Sequence, residues 1–288
     1  MRYQLLALDL DGTTLQDDHQ LNPTIKSVID KIKSHYSVMI VTGRHHTAAK
    51  PYYDELGLDT PVLCCNGTYL YDYKNEKVLF HNGIPKVKAQ TFLALAHQYQ
   101  LKMVIYTKEA MTYSLADPIE YMQPLEVWAK TYPKDRQPNI YQVEAFEPLV
   151  GQSDYIWKFV VQGEQDKLKA FLSLPFIVDN FDGAWSAENR IDLAAKGNTK
   201  GNALANYAES IGISAEHIIA AGDNFNDVSM LSFSGIGIAM QHAHDDVKAW
   251  ANVITKTDNQ GDDLAKLIAH YFPIDGLVVD GFAKERNQ

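Results

Sequence analysis

Residues 5–13 read Leu-Leu-Ala-Leu-Asp-Leu-Asp-Gly-Thr. The apolar run has the length and texture of a strand, and it ends in two carboxylates two residues apart, followed at once by a glycine. Like charges this close are costly to bury unless a cation or a proton offsets them. Asp9 and Asp11 therefore ask for a metal, for acid–base work, or for both. A solvated turn accounts for the same residues, since Asp and Gly are ordinary turn formers, and on this stretch alone the two readings balance.

Outward from that strand, helices and strands alternate. Asn22 and Pro23 suit an N-cap and a first helical residue, and Ile25, Val28, Ile29 and Ile32 follow on one helical face. Val38-Met39-Ile40-Val41 is a continuous apolar run, as expected of a strand buried on both sides. A helix over 46–56, with Gly57 at its C-terminus, precedes a third buried strand, Val62-Leu63-Cys64-Cys65. The segments 69–73 and 78–81 read as a hairpin. The rhythm returns late, with a helix from Lys200 whose apolar face is Leu204, Tyr207, Ala208 and Ile211, then strands over 217–221 and 236–239 and helices near 227–232, 245–251 and 262–271. Alternation of this kind predicts an α/β fold with a doubly wound parallel sheet.

The middle of the chain is different. It is rich in Trp and Tyr, with strand-like runs at 103–107 and 155–161, amphipathic helices at 87–99 and 165–174, and a proline-rich stretch around 124–138. This predicts a large α+β domain inserted into the first: residues 1–84 with 189–273 as a discontinuous core, 85–188 as the insert, and 274–288 as a C-terminal tail.

Bulk properties narrow the function. A chain of 288 residues with 46% hydrophobic and 22% charged residues is ordinary for a globular protein. Its formal net charge of −10 argues against nucleic acid as a partner, which would require a basic footprint. No stretch is long enough to span a membrane, and no signal peptide is expected. The only cysteines, Cys64 and Cys65, are adjacent and unlike a disulfide framework; they read as small apolar residues of a buried strand, and a cytoplasmic location is expected.

In an open parallel sheet, ligands bind beyond the carboxyl ends of the strands. One strand ends in Asp9 and Asp11, another in Thr42-Gly43-Arg44, and a later one in Gly222-Asp223-Asn224-Phe225-Asn226-Asp227. Carboxylates from two strand ends are hard oxygen ligands suited to Mg²⁺. A Thr hydroxyl beside a Gly amide can grip a phosphoryl oxygen, and Lys200 adds a cation at a helix start, where an anion is favoured. Taken singly, each group has a plain structural explanation: a turn, an N-cap, a solvated lysine. Arriving in this order, each after a strand, they make coincidence improbable.

These four stretches, Asp9-Leu10-Asp11-Gly12-Thr13, Thr42-Gly43-Arg44, Lys200-Gly201 and Gly222–Asp227, resemble the motifs of the haloacid dehalogenase (HAD) superfamily of phosphohydrolases. The insert and Asn66-Gly67-Thr68 resemble its Cof-type branch. Val41–His46, Leu58–Pro61, Cys64–Tyr73 and Trp157-Lys158-Phe159 are similar to the pyridoxal phosphate phosphatases of that branch, whose relatives also hydrolyse sugar phosphates.

The resemblance implies a HAD-like core with an inserted cap that selects the leaving group of a small phosphate monoester. It implies Asp9 as the nucleophile that becomes an aspartyl-phosphate, and Asp11 as the acid and then the base. Mg²⁺ would be held by Asp9, the main-chain carbonyl of Asp11, and Asp223. The amide of Leu10, with Thr42, Gly43, Lys200 and Asn226, would hold the phosphoryl oxygens, and Asp227 would orient Lys200 or the metal shell. Pyridoxal 5′-phosphate is the expected substrate, a broad sugar-phosphate phosphatase the alternative, and a non-catalytic phospho-ligand module the third reading. Arg44 is expected to salt-bridge to a neighbour, and His45 and His46 to pack or face solvent. Tyr106, Tyr113, Trp128 and Trp185 are candidates for stacking a pyridine ring.

Overall fold

A computed structural model describes residues 3–274; the expected tail, beyond its first residue, lies outside the described residues. The chain divides into two compact units. One takes in the described chain up to Thr42, Tyr52–Leu63, and the described chain from Thr199 onward; the other is Gly43–Pro51 with Cys64–Asn198.

The first unit is built on a five-stranded sheet in the order Val253–Ile254, Ile236–Ala239, Ile218–Gly222, Leu5–Leu8, Ser37–Ile40. Every pairing in it is parallel. Leu5–Leu8 is an interior strand, fourth of the five, and buried along its whole length, which is why it carries no polar residue until Asp9. Its two neighbours come from opposite ends of the sequence. The order therefore reverses direction beside this strand, which is where such sheets open a crevice at their carboxyl edge. Val41 extends the edge by a parallel bridge to Leu63.

Local signals account for the helices. The Asn22 side chain accepts from the amides of Thr24 and Ile25, Pro23 starts Pro23–Ile32, and its Ile25, Val28, Ile29 and Ile32 are all buried. Thr199 caps Lys200–Ser210 by accepting from the Asn202 amide. Leu204, Tyr207 and Ala208 of that helix are buried, but Ile211 is 43% exposed. The helix has ended by then, so Ile211 leaves the apolar stripe.

The second unit holds a six-stranded sheet, ordered Phe181–Ala187, Arg190–Ala195, Ile156–Gln162, Lys102–Thr107, Met111–Ser114, Ile140–Val143. Only the last pair is parallel. Its apolar core joins helix residues such as Phe92 and Phe171 to strand residues such as Phe159 and Ile191. Phe92 stacks on Phe159 with ring centroids 4.0 Å apart. The hairpin Tyr69–Asp72 with Lys77–His81 lies in this unit.

Cys64 and Cys65 are buried, and burial pushes both thiols up, that of Cys65 to about 12. They are unreactive at neutral pH. The strand stops at Cys64 because Cys65 and Asn66 take positive φ, 49° and 58°.

Candidate active site

The carboxyl edge of the first unit's sheet gathers the groups that the sequence scatters. Asp9, directly after Leu5–Leu8, is 5% exposed, and Lys200 is fully buried. Lys200 Nζ donates to Asp9 Oδ1 at 2.6 Å and to Asp227 Oδ1 at 2.6 Å. The other oxygen of Asp227 accepts from the amides of Asp223 and Asn224, at 3.0 and 2.9 Å. With Asn224 capping in return, this forms a reciprocal box at the turn Phe225–Asp227. Asp227 is thus engaged through both oxygens, half in orienting the lysine and half in shaping the loop that carries Asp223.

Between Asp9 and the rest of the chain lies one wide turn. Leu15 N–H donates to the Leu10 carbonyl, and Thr14 Oγ1 donates to the Asp9 carbonyl. Gly12 sits at φ 74°, where a side chain is strained. A Cβ there would also overlap the Asp223 carboxylate. The glycine of the first motif is required both by the turn and by the close approach of Asp223. Thr13 Oγ1 donates to Asp223 Oδ1 at 3.2 Å, tying the two strand ends together.

Electrostatics follow from crowding. One ligand oxygen from each of Asp9, Asp223 and Asp227 lies within 4.8 Å of the others. Burial, then the charge of Asp227, holds the Asp9 carboxyl well above the usual carboxylate range, with Lys200 pulling the other way. Burial, then Asp227, pushes Asp223 up to about 6. Burial would lower the Lys200 ammonium, but Asp227 and Asp9 outweigh it and raise it instead. One buried lysine cannot neutralise three carboxylates. The site is short of positive charge, and its oxygen donor set fits a hard divalent cation such as Mg²⁺.

The other expected residues fall as follows. Asp11 is half exposed, with His19 Nδ1 3.9 Å from its Oδ1. Thr42 is fully buried, its amide bonded to the Leu63 carbonyl. Leu10 is buried in the turn after Asp9, and Asn226 lies in the turn before Asp227. All of these belong to the first unit; Gly43, the residue after Thr42, is grouped with the second. In that second unit the Arg44 guanidinium lies over the Trp128 ring, 5.0 Å from its centroid. His45 and His46 are buried, as expected of packing residues. His45 Nε2 lies 2.7 Å from the Thr107 carbonyl, and burial lowers its ring to about 4. Among the stacking candidates Tyr106 and Tyr113 are buried and Trp185 is exposed.

One neighbour of the site escaped the sequence reading. His242 Nε2 lies 3.5 Å from Asp223 Oδ2. It stands in the loop after Ile236–Ala239, and the strand-end argument applied to the first three polar termini would have found it had it been extended to this fourth strand.

Comparison with known proteins places the chain in a family. Residues 6–268 match the family model of haloacid dehalogenase-like hydrolases. The chain is 38% identical over 272 residues to the pyridoxal phosphate phosphatase YbhA of Escherichia coli, covering 93% of this chain and 98% of that protein. It is 26% identical over 284 residues to the 5-amino-6-(5-phospho-D-ribitylamino)uracil phosphatase YitU of Bacillus subtilis, covering 94% and 98%. A haloacid dehalogenase-like hydrolase from Bacteroides thetaiotaomicron superposes with a TM-score of 0.80 at 23% identity, covering 94% of this chain and all of that one, and so shares its fold.

Proposed function

The chain belongs to the haloacid dehalogenase-like hydrolases, and from that premise we propose that it is a phosphatase of small phosphate monoesters, with pyridoxal 5′-phosphate as substrate. The observation that carries the reaction is the Lys200 ammonium clamped between Asp9 and Asp227 at the carboxyl edge of a parallel sheet. The 38% identity to a pyridoxal phosphate phosphatase across nearly the whole of both chains supports the substrate.

In this reading Asp9 is the nucleophile. A carboxylate oxygen attacks phosphorus, the bond from phosphorus to the ester oxygen breaks, and an aspartyl-phosphate forms. Lys200 holds one Asp9 oxygen and so fixes the carboxylate for attack, while its charge favours the approach of the phosphoryl group. Asp11, half exposed, gives a proton to the leaving oxygen and later takes one from the water that hydrolyses the acyl phosphate. The Leu10 amide, Thr42, Gly43, Lys200 and Asn226 hold the equatorial oxygens, so catalysis is mainly positioning and electrostatics. Asp9, the Asp11 carbonyl and Asp223 would hold Mg²⁺, which when bound supplies the positive charge the three carboxylates lack. Asp227 stays with Lys200, because both of its oxygens are already committed. The second unit serves as the inserted cap domain.

The test is a phosphate-release panel with and without Mg²⁺, comparing pyridoxal 5′-phosphate, 4-nitrophenyl phosphate and a set of sugar phosphates. Mg²⁺-dependent release with the highest kcat/KM on pyridoxal 5′-phosphate is expected. A preference for sugar phosphates would move the substrate to the alternative reading, and absence of release from every ester would overturn the phosphatase itself.

A further inference from the structure

The loop after Ile236–Ala239 brings two imidazoles to the site's edge. His242 reaches Asp223, and two residues later the ring of His244 lies against that of Phe225, with centroids 5.3 Å apart and planes at 40°. His244 is itself anchored: its Nδ1 accepts from the Asp246 amide at 3.2 Å, capping the short helix Asp245–Lys248. Phe225 starts the turn that Asn224 and Asp227 close between them. Two adjoining rings are thus held by capped backbone, Phe225 two residues along the chain from Asp223 and His244 two residues from the His242 that reaches it.

Phe225 is nonetheless 58% exposed. Around it the motif's polar groups all have work to do, since Asp223 faces the acidic cluster, Asn224 caps the turn and Asp227 orients Lys200. Phosphoryl transfer itself has no use for a phenyl group. A large apolar ring fixed in water beside an anion site gains when another flat apolar surface covers it.

We propose that Phe225, backed by His244, is a stacking platform for a planar ring carried by the leaving group. The site thereby favours aryl and heteroaryl phosphate monoesters over sugar phosphates, which carry no planar π-system to stack on the ring. The inference rests on the phosphatase reading and deepens it by naming a residue that selects the substrate class.

The experiment compares wild type with Phe225→Leu, Phe225→Ala and Phe225→Tyr at saturating Mg²⁺. Substrates are pyridoxal 5′-phosphate, 4-nitrophenyl phosphate and glucose 6-phosphate. Loss of one stacked pair predicts that Phe225→Ala raises KM for both ring-bearing esters about tenfold, and Phe225→Leu about threefold, with kcat changed less than about twofold. Phe225→Tyr should restore KM, and kcat/KM for glucose 6-phosphate should move less than about twofold in every variant. An equal loss on all three esters would assign Phe225 to the turn alone, and unchanged KM values would leave the ring without a part in binding; either overturns the proposal. Failure of the underlying phosphatase reading shows separately, as a wild-type enzyme that releases no phosphate. In that case the platform is read from binding of pyridoxal 5′-phosphate to wild type and Phe225→Ala by its absorbance, where equal affinities overturn it.

Discussion

Lys200 Nζ lies 2.6 Å from Asp9 Oδ1 across 191 residues of sequence, and the same ammonium holds Asp227 Oδ1 at 2.6 Å. This lysine is fully buried, so the pairing is part of the core and, in the proposed mechanism, also the means by which Asp9 is aimed. A buried cation between two carboxylates persists only while at least one of them stays ionised beside it, because a stranded charge in a low-dielectric site is uncompensated.

Asp9→Asn removes the nucleophile and retains the shape. Lys200 keeps Asp227 as partner, and one crowded negative charge is gone. Phosphate release should fall by at least about a thousandfold, while thermal melting without metal stays close to wild type. Retained turnover would sink the nucleophile assignment.

Lys200→Met should cost about 3–5 kcal/mol of stability at pH 7, as expected for breaking a buried ion pair. Asp9 is then left without its cation in a crowd of carboxylates, and protonation of Asp9 relieves it, so the loss measured by urea denaturation should be smaller at pH 5 than at pH 7. A loss independent of pH would show that the lysine contributes packing rather than charge.

Gly12→Ala places a side chain at φ 74° and into the Asp223 carboxylate. Strain of this kind costs roughly 1–3 kcal/mol. Displacing Asp223 should also raise the Mg²⁺ concentration for half-maximal activity by about ten- to a hundredfold, as for other groups that orient metal ligands. A magnesium titration that superimposes on wild type would refute the role assigned to this glycine.

His45 provides a pH test in the second unit. Burial lowers its ring to about 4, against about 6.5 in an unfolded chain. Below pH 6.5 the unfolded state takes up a proton that the folded state refuses. The contribution is therefore complete above pH 6.5 and is lost as pH falls toward 4, by up to about 3 kcal/mol. His45→Gln should flatten this acid limb relative to wild type in denaturation midpoints taken between pH 7.5 and 4.5. Parallel limbs would mean that the ring is protonated in the folded protein.

Much of the fold was legible because periodicity and capping are local. Asn22-Pro23 and the spacing of Ile25, Val28, Ile29 and Ile32 needed no partner to be read, and the helix forms there. The strand over Phe181–Ala187 was not legible, since all but its first residue are exposed and its small residues carry no alternation; pairing to Arg190–Ala195 makes it a strand. Nor could Lys158 be read as buried. In an apolar run it looks like an interruption, yet it lies 4% exposed because Asp192, 34 residues away, supplies its counter-charge. His242 and the Phe225–His244 pair were hidden for a similar reason, as both depend on a loop from a neighbouring strand.

The sequence by itself determined which residues stand at strand ends, because an apolar strand interrupted by carboxylate, hydroxyl or glycine announces where it leaves the sheet. It determined in this way that Asp9, Thr42 and Asp223 each close a strand, and that Lys200 opens a helix. Only the tertiary structure decided that these ends meet, by placing Leu5–Leu8 between strands drawn from opposite ends of the chain. Only it decided how two carboxylates share one buried lysine beside a third. Strand order and charge balance are set by contacts between distant segments, and the energies that select them exist only once those strands have paired in the sheet.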